Sequence, residues 1–150
     1  MLPYTAAMIL YTIGYQGLQP DEFIQTLRQH GVDIIIDVRE IPHSRKRGFS
    51  LKHLTVLATA NYMEYFSFRT LGSPTPLRQK LRQDGNHQEF LEEYRKYLAG
   101  QKEDLDKVIS MAQRGTCCLL CYEKDADFCH RKIVASEIAE LDQGMQIVHL

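Results

Sequence analysis

Short, nearly continuous apolar runs alternate along the chain with stretches in which apolar residues recur every three or four positions. Met8–Ile13 is such a run, stopped by Gly14. Pro20-Asp-Glu then opens a helix, because proline suits the first helical position and acids suit the positive end of the dipole. Phe23, Ile24 and Leu27 form its apolar face and Gly31 closes it. Val32–Val38 is apolar on both sides of the alternation, the habit of a strand covered on both faces in a parallel sheet. Strand, helix, strand is one right-handed crossover unit.

The pattern continues to the C-terminus. Ser50 is placed to cap a helix through Ala60 with Leu51, Leu54 and Leu57 inward. Tyr62–Phe68 reads as a third strand, ending near Gly72. Helices follow over Pro76–Arg82 and Gln88–Leu98, the second carrying Phe90, Leu91, Tyr94 and Leu98. Asp104–Arg114 is a further helix, closed by Gly115. Thr116–Cys121 is a second two-sided strand, Asp127–Leu141 a last helix and Met145–Val148 a short strand. These elements predict an α/β fold: one open, mainly parallel, Rossmann-like sheet with helices on both faces in three layers.

At 150 residues the chain fits one α/β domain over 1–150, with residues 1–7 a loose N-terminal extension. Net charge is −1, so attraction to nucleic acid or a membrane surface has to be local. No apolar run approaches the roughly 18 residues that span a bilayer, and Met1–Ala7 lacks the character of a signal peptide. Cys117 and Cys118 are adjacent within an apolar run, so the four cysteines read as reduced thiols of a cytoplasmic protein rather than a disulfide framework.

Ligands of open α/β sheets bind outside the carboxyl ends of the strands. Those ends are Gly14–Gly17, Asp37–Arg47, Leu71–Pro76 and Cys121–Arg131. The second concentrates Arg39, Arg45, Lys46 and Arg47, with Lys52 just beyond. Guanidinium forks suit phosphate or carboxylate oxygens, and Ser44 adds a hydroxyl donor. A solvated basic loop, with Arg39 merely paired to Asp37, is the competing reading.

The fourth end holds Glu123, Cys129, His130 and Arg131. His130 falls in line with Val134, Ile138 and Leu141, so it points to the sheet edge rather than to water. A satisfied structural histidine is the rival there. Cys121, Cys129 and His130 are zinc-ligand types, but Cys-x7-Cys-His matches no common spacing and no fourth ligand is evident, so no metal is assigned. A cysteine-phosphatase loop from Cys121 would need an arginine where Asp127 stands. Gly14-x-x-Gly17 lacks the full dinucleotide fingerprint.

With these segments identified, the chain resembles the bacterial and archaeal family catalogued as "domain of unknown function 488". The matching pieces are Tyr11–Tyr15, Asp37-Val-Arg39 with Pro42-x-Ser-Arg45, Leu71-Gly72, and Cys121-x-Glu123 followed by Cys129-His-Arg131, in the family's order. Tyr15, where many members carry histidine, and Ser73, where a second glycine is common, depart from it. The resemblance implies a Rossmann-like α/β domain with a pocket shared by the Asp-Val-Arg and Cys-His-Arg segments, and assigns no activity.

Three functions compete. One is a hydrolase- or transferase-type enzyme on a phosphate-bearing small molecule, a nucleotide or nucleic acid. In it Arg39, Ser44, Arg45 and Arg131 hold the anion, Glu123 and His130 transfer protons, and Asp37 orients an arginine or a base. The second is a non-catalytic nucleotide- or nucleic-acid-binding module using the basic residues 45–52. The third is a thiol-based redox protein using Cys121 and Cys129. The sequence specifies no cofactor and no oligomeric state.

Overall fold

The computed structural model describes residues 8–150; the extension read over 1–7 lies outside them. Five strands form one parallel sheet: β1 (Met8–Gly14), β2 (Ile34–Asp37), β3 (Glu64–Ser67), β4 (Cys117–Cys121) and β5 (Met145–His149), in the order β3-β2-β4-β1-β5. Six helices connect them: α1 (Pro20–Gln29), α2 (Leu51–Ala60), α3 (Thr75–Asp84), α4 (His87–Leu98), α5 (Lys102–Arg114) and α6 (Arg131–Leu141). No helix is long and apolar enough to cross a membrane, among the described residues.

The two-residue alternation of the central strands divides the core into two layers. Ile34, Ile36, Cys117, Leu119 and Cys121 pack toward Tyr94, Leu98, Val108 and Ile138 of α4, α5 and α6. Ile35, Cys118 and Leu120 pack on the opposite side toward Phe23, Leu27, Leu54 and Ala58 of α1 and α2. The expected three-layer α/β architecture is therefore observed.

The elements differ from expectation mainly at their ends. Tyr62 is 98% exposed with φ of 59°, part of the turn that ends α2, so β3 starts at Glu64. Leu51 is exposed rather than inward, because it opens α2 before the helix reaches the sheet. Residues 126–128 form a separate 3₁₀ turn capped by Asp125, and Cys129 is extended, so α6 begins at Arg131 and not at Asp127. Leu141, at the far end of α6, is exposed.

The topology creates a crevice. From β1 the chain crosses toward β2, whereas from β4 it returns past β1 to β5, although β1 and β4 are neighbours. Loops leaving those adjacent strands diverge, which is where α/β sheets take ligands. Past the strand ends the two loops stay joined: Tyr15 N–H donates to Cys121 O and Gln16 N–H to Tyr122 O. Gly14 lies so close that a methyl group there would overlap the Glu123 carbonyl, which is backbone and cannot yield. Gly14→Ala is expected to cost about 3 kcal/mol or more in urea unfolding. Gly144→Ala, where the added carbon meets only an ordinary contact with Asp142, is expected to stay within about 0.5 kcal/mol of wild type.

Candidate functional site

Four strand ends converge on one cleft of about 400 Å³, lined by Tyr15, Arg39, Glu40, Ser44, Arg45, Lys46, Ser73, Arg78, Cys121, Tyr122, Glu123 and His130 among others. The Asp-Val-Arg and Cys-His-Arg segments meet there directly, His130 Nε2 lying 2.6 Å from Val38 O.

One wall rests on a buried ion pair. Arg39 and Asp37, 6% and 0% exposed, are joined by Nε–Oδ1 at 2.9 Å and Nη2–Oδ2 at 2.6 Å. Arg39 also donates through Nη1 to Phe49 O at 2.8 Å and Tyr15 OH at 3.2 Å. Tyr65 OH donates to the remaining face of Asp37. Burial works against the arginine's charge, but Asp37 and Tyr15 outweigh it and raise its pKa, so it stays cationic. Asp37 is thus the arginine-orienting group, saturated with donors and outside the cleft lining.

Arg131, expected to hold the anion, is instead enclosed by the protein. Its side chain is fully buried, donating from Nε to Thr12 Oγ1 at 3.1 Å, from Nη1 to Glu123 O and from Nη2 to Lys124 O at 3.2 Å. It clamps the loop after β4 to β1, and being fully buried it lies outside the cleft lining. The first position of α6 sends this long side chain across the sheet edge, which helical spacing alone does not reveal.

Arg45 and Lys46 line the cleft, whereas Arg47 does not and Lys52 lines a different hollow beside Pro20 and Val56. Ser44 Oγ accepts from Lys46 N–H at 3.1 Å, which leaves its own hydroxyl proton to donate. The third wall comes from residues that sequence reasoning missed. Glu40 accepts from Thr75 Oγ1 at 2.5 Å, Thr75 N at 3.1 Å and Arg78 Nη2 at 3.1 Å. Burial disfavours its ionisation, but Thr75 and Arg78 overcome this and hold its carboxyl below the ordinary range. The segment Leu71–Pro76 marked this wall; Arg78, one turn into α3, carried no signal of its own. Tyr15 stacks between Phe49 (centroids 4.5 Å apart) and Tyr122 (5.3 Å), so the departure from the family pattern at Tyr15 supplies an aromatic wall.

The inner end of the cleft holds Cys121, with Cys129 behind it. Cys121 Sγ lies 3.0 Å from Glu123 Oε2 and 3.7 Å from His130 Nδ1, and Cys129 Sγ is 3.8 Å from the same nitrogen. A carbonyl only accepts, so His130 Nε2 carries the proton given to Val38 O, and Nδ1 faces the sulfurs. Both ring nitrogens are engaged, so His130 has none left to exchange protons with a cleft ligand directly.

Burial raises the Cys121 thiol, reinforced by the neighbouring Cys129 and Glu123. Burial also opposes ionisation of Cys129, but Cys121, His130 and Arg131 outweigh it and lower its pKa. The Arg131 backbone N–H donates to the same sulfur at 3.5 Å. Burial lowers His130, and Cys129, Val38 O and Glu123 together raise it beyond that effect. Glu123 is raised first by burial and then by Cys129. Cys117 is pushed up to about 12 by burial and is a core residue. All four cysteines are unbridged.

A family model described as "Domain of unknown function DUF488" matches residues 19–138. No curated protein and no solved structure matches the chain.

Removing one partner of the buried wall pair leaves an uncompensated charge. Asp37→Asn is expected to cost about 3–5 kcal/mol in urea unfolding. A loss near that of an exposed ion pair, below about 1 kcal/mol, would show that Arg39 does not depend on Asp37.

Proposed function

The chain belongs to the DUF488 family, whose description assigns no activity, and from the cleft we propose an enzyme of hydrolase or transferase type acting on a phosphate-bearing ligand, a nucleotide or a nucleic-acid end. The observation that carries this reading is one hollow with cations on one side and a carboxyl, a thiol and an imidazole on the other.

The cations divide by their partners. Arg39 is committed to Asp37 and Arg78 to Glu40, so they shape the walls. Arg45 and Lys46 have no acidic partner among the described residues, and with the Ser44 hydroxyl they are free to take phosphate oxygens. Tyr122, 45% exposed and stacked on Tyr15, offers a flat face to a base; stacking of that kind contributes about 1–3 kcal/mol per base. Glu123 is the proton-transfer residue, half-buried and facing the same hollow. His130 acts behind it, positioning Cys121. The ligand is drawn by a local patch, since net charge is −1.

Calorimetry with inorganic pyrophosphate and adenosine diphosphate tests this. The double variant Arg45→Ala/Lys46→Ala is expected to weaken binding about 10- to 100-fold, or roughly 1.5–3 kcal/mol. Arg47→Ala/Lys52→Ala, which changes two cations outside the cleft, is expected to leave binding unaltered. Equal losses from both pairs would reduce the effect to general surface charge and reject the cleft.

A further inference from the structure

We propose that Cys121, Cys129 and His130 hold a catalytic zinc ion whose fourth position opens on the cleft beside Glu123. Their ligand atoms lie within 4.8 Å of one another, and all three residues are buried. Around tetrahedral zinc, Zn–S of about 2.3 Å and Zn–N of about 2.0–2.1 Å give sulfur-to-nitrogen edges of about 3.6 Å. The observed edges are 3.7 and 3.8 Å.

A second, independent observation is the imidazole's orientation. Metal-bound histidines characteristically donate the other ring N–H to a carboxylate or backbone carbonyl, which sets the tautomer and aims the lone pair. His130 does so at 2.6 Å to Val38 O, leaving Nδ1 toward both sulfurs. The backbone N–H of Arg131 on Cys129 Sγ supplies an outer contact of the kind that supports a thiolate.

The set reads as catalytic rather than structural. Three protein ligands with an open fourth position distinguish catalytic zinc from closed structural sites. Glu123 stands beside the three without belonging to the convergent set, its Oε2 3.0 Å from Cys121 Sγ. Two cysteines, a histidine and a glutamate that is not a ligand form the donor arrangement by which zinc enzymes activate water. Cys121, Glu123 and His130 all line the cleft, with Cys129 behind them.

Loading exchanges the remaining thiol protons for the ion. A water in the fourth position passes a proton to Glu123 as its oxygen bonds to phosphorus. Glu123 returns that proton to the leaving oxygen as the old phosphorus–oxygen bond breaks. The ion itself stands on the thiols and the imidazole; its action on a phosphate ester rests on the cleft reading above.

The test uses the full chain, reduced, stripped with a chelator and titrated with Co²⁺ and then Zn²⁺. One cobalt per chain is expected, with the intense visible bands of a tetrahedral ion and a thiolate charge-transfer band, both abolished by one equivalent of zinc. Cys129→Ser and Cys121→Ser are expected to lose the charge-transfer intensity and to weaken zinc more than about 100-fold. Cys117→Ser is expected to change neither, and Glu123→Gln to keep the ion. Absence of these bands in folded wild type overturns the site, as does an unchanged spectrum in Cys129→Ser. Loss of the ion in Glu123→Gln overturns the open fourth position. Pyrophosphate binding by the metal-free protein is measured in parallel. Binding without metal uptake rejects the zinc alone, and metal uptake without anion binding rejects the cleft reading alone.

Discussion

The bond from His130 to the Val38 carbonyl, spanning 92 positions of sequence, is the constraint on which the site depends. Val38 follows the last residue of β2, and its N–H is held by Leu120 O of β4. Its carbonyl, buried beyond the end of the ladder, would otherwise lack a partner at a cost of about 1–3 kcal/mol. Satisfying it with an imidazole does three things. It draws the segment before α6 against the end of β2, decides which ring nitrogen carries the proton, and turns the other nitrogen onto two sulfurs. A requirement of backbone hydrogen bonding thus sets the chemistry at the cleft's inner end.

The fold was legible because its strands are two-sided. Ile34–Ile36 and Cys117–Cys121 are apolar at every position, the habit of strands covered on both faces, and the helices between them show their own period. The meeting of the Asp-Val-Arg and Cys-His-Arg segments was legible too, since parallel strands place their C-terminal ends along one edge. What escaped was whatever depends on loop path. The 3₁₀ turn over Ala126–Phe128 brings Cys129 back toward Cys121. The separation of the two cysteines in sequence then reflects the length of a βα loop rather than a compact knuckle, so motif spacing did not show that they meet. Arg78 and Glu40 escaped similarly: α3 has no buried residue, so its pattern did not say which side faced the cleft.

Four arginines stood at the strand ends, and burial separated their roles. Arg131, fully enclosed, donates to a hydroxyl and two carbonyls and lies outside the cleft lining. Arg39 is neutralised by a carboxylate on which it is forked. Arg45 is exposed and unpaired among the described residues, and Arg47 is equally exposed but faces away. A guanidinium removed from water has to find acceptors within the protein. The arginines that folding needs most are therefore those least able to serve a ligand, and composition cannot tell the two kinds apart.

This division bears on how the proposed zinc ion and anionic ligand would share one cleft. Two thiolates cancel the charge of a divalent ion, and neutral imidazole adds none, so the centre exerts little net attraction on a phosphate at long range. Glu123, when ionised, repels it. Attraction must then come from the opposite wall, where Arg45 and Lys46 are the cations not already cancelled by Asp37 or Glu40. In the proposed site the two walls would have separate tasks: the basic loop would capture and hold the ligand, and the end at Cys121, electrically quiet at a distance, would act once an oxygen reached the ion. The basic cluster after β2 is in that sense the electrostatic complement of a centre whose own charge is spent on its ligands.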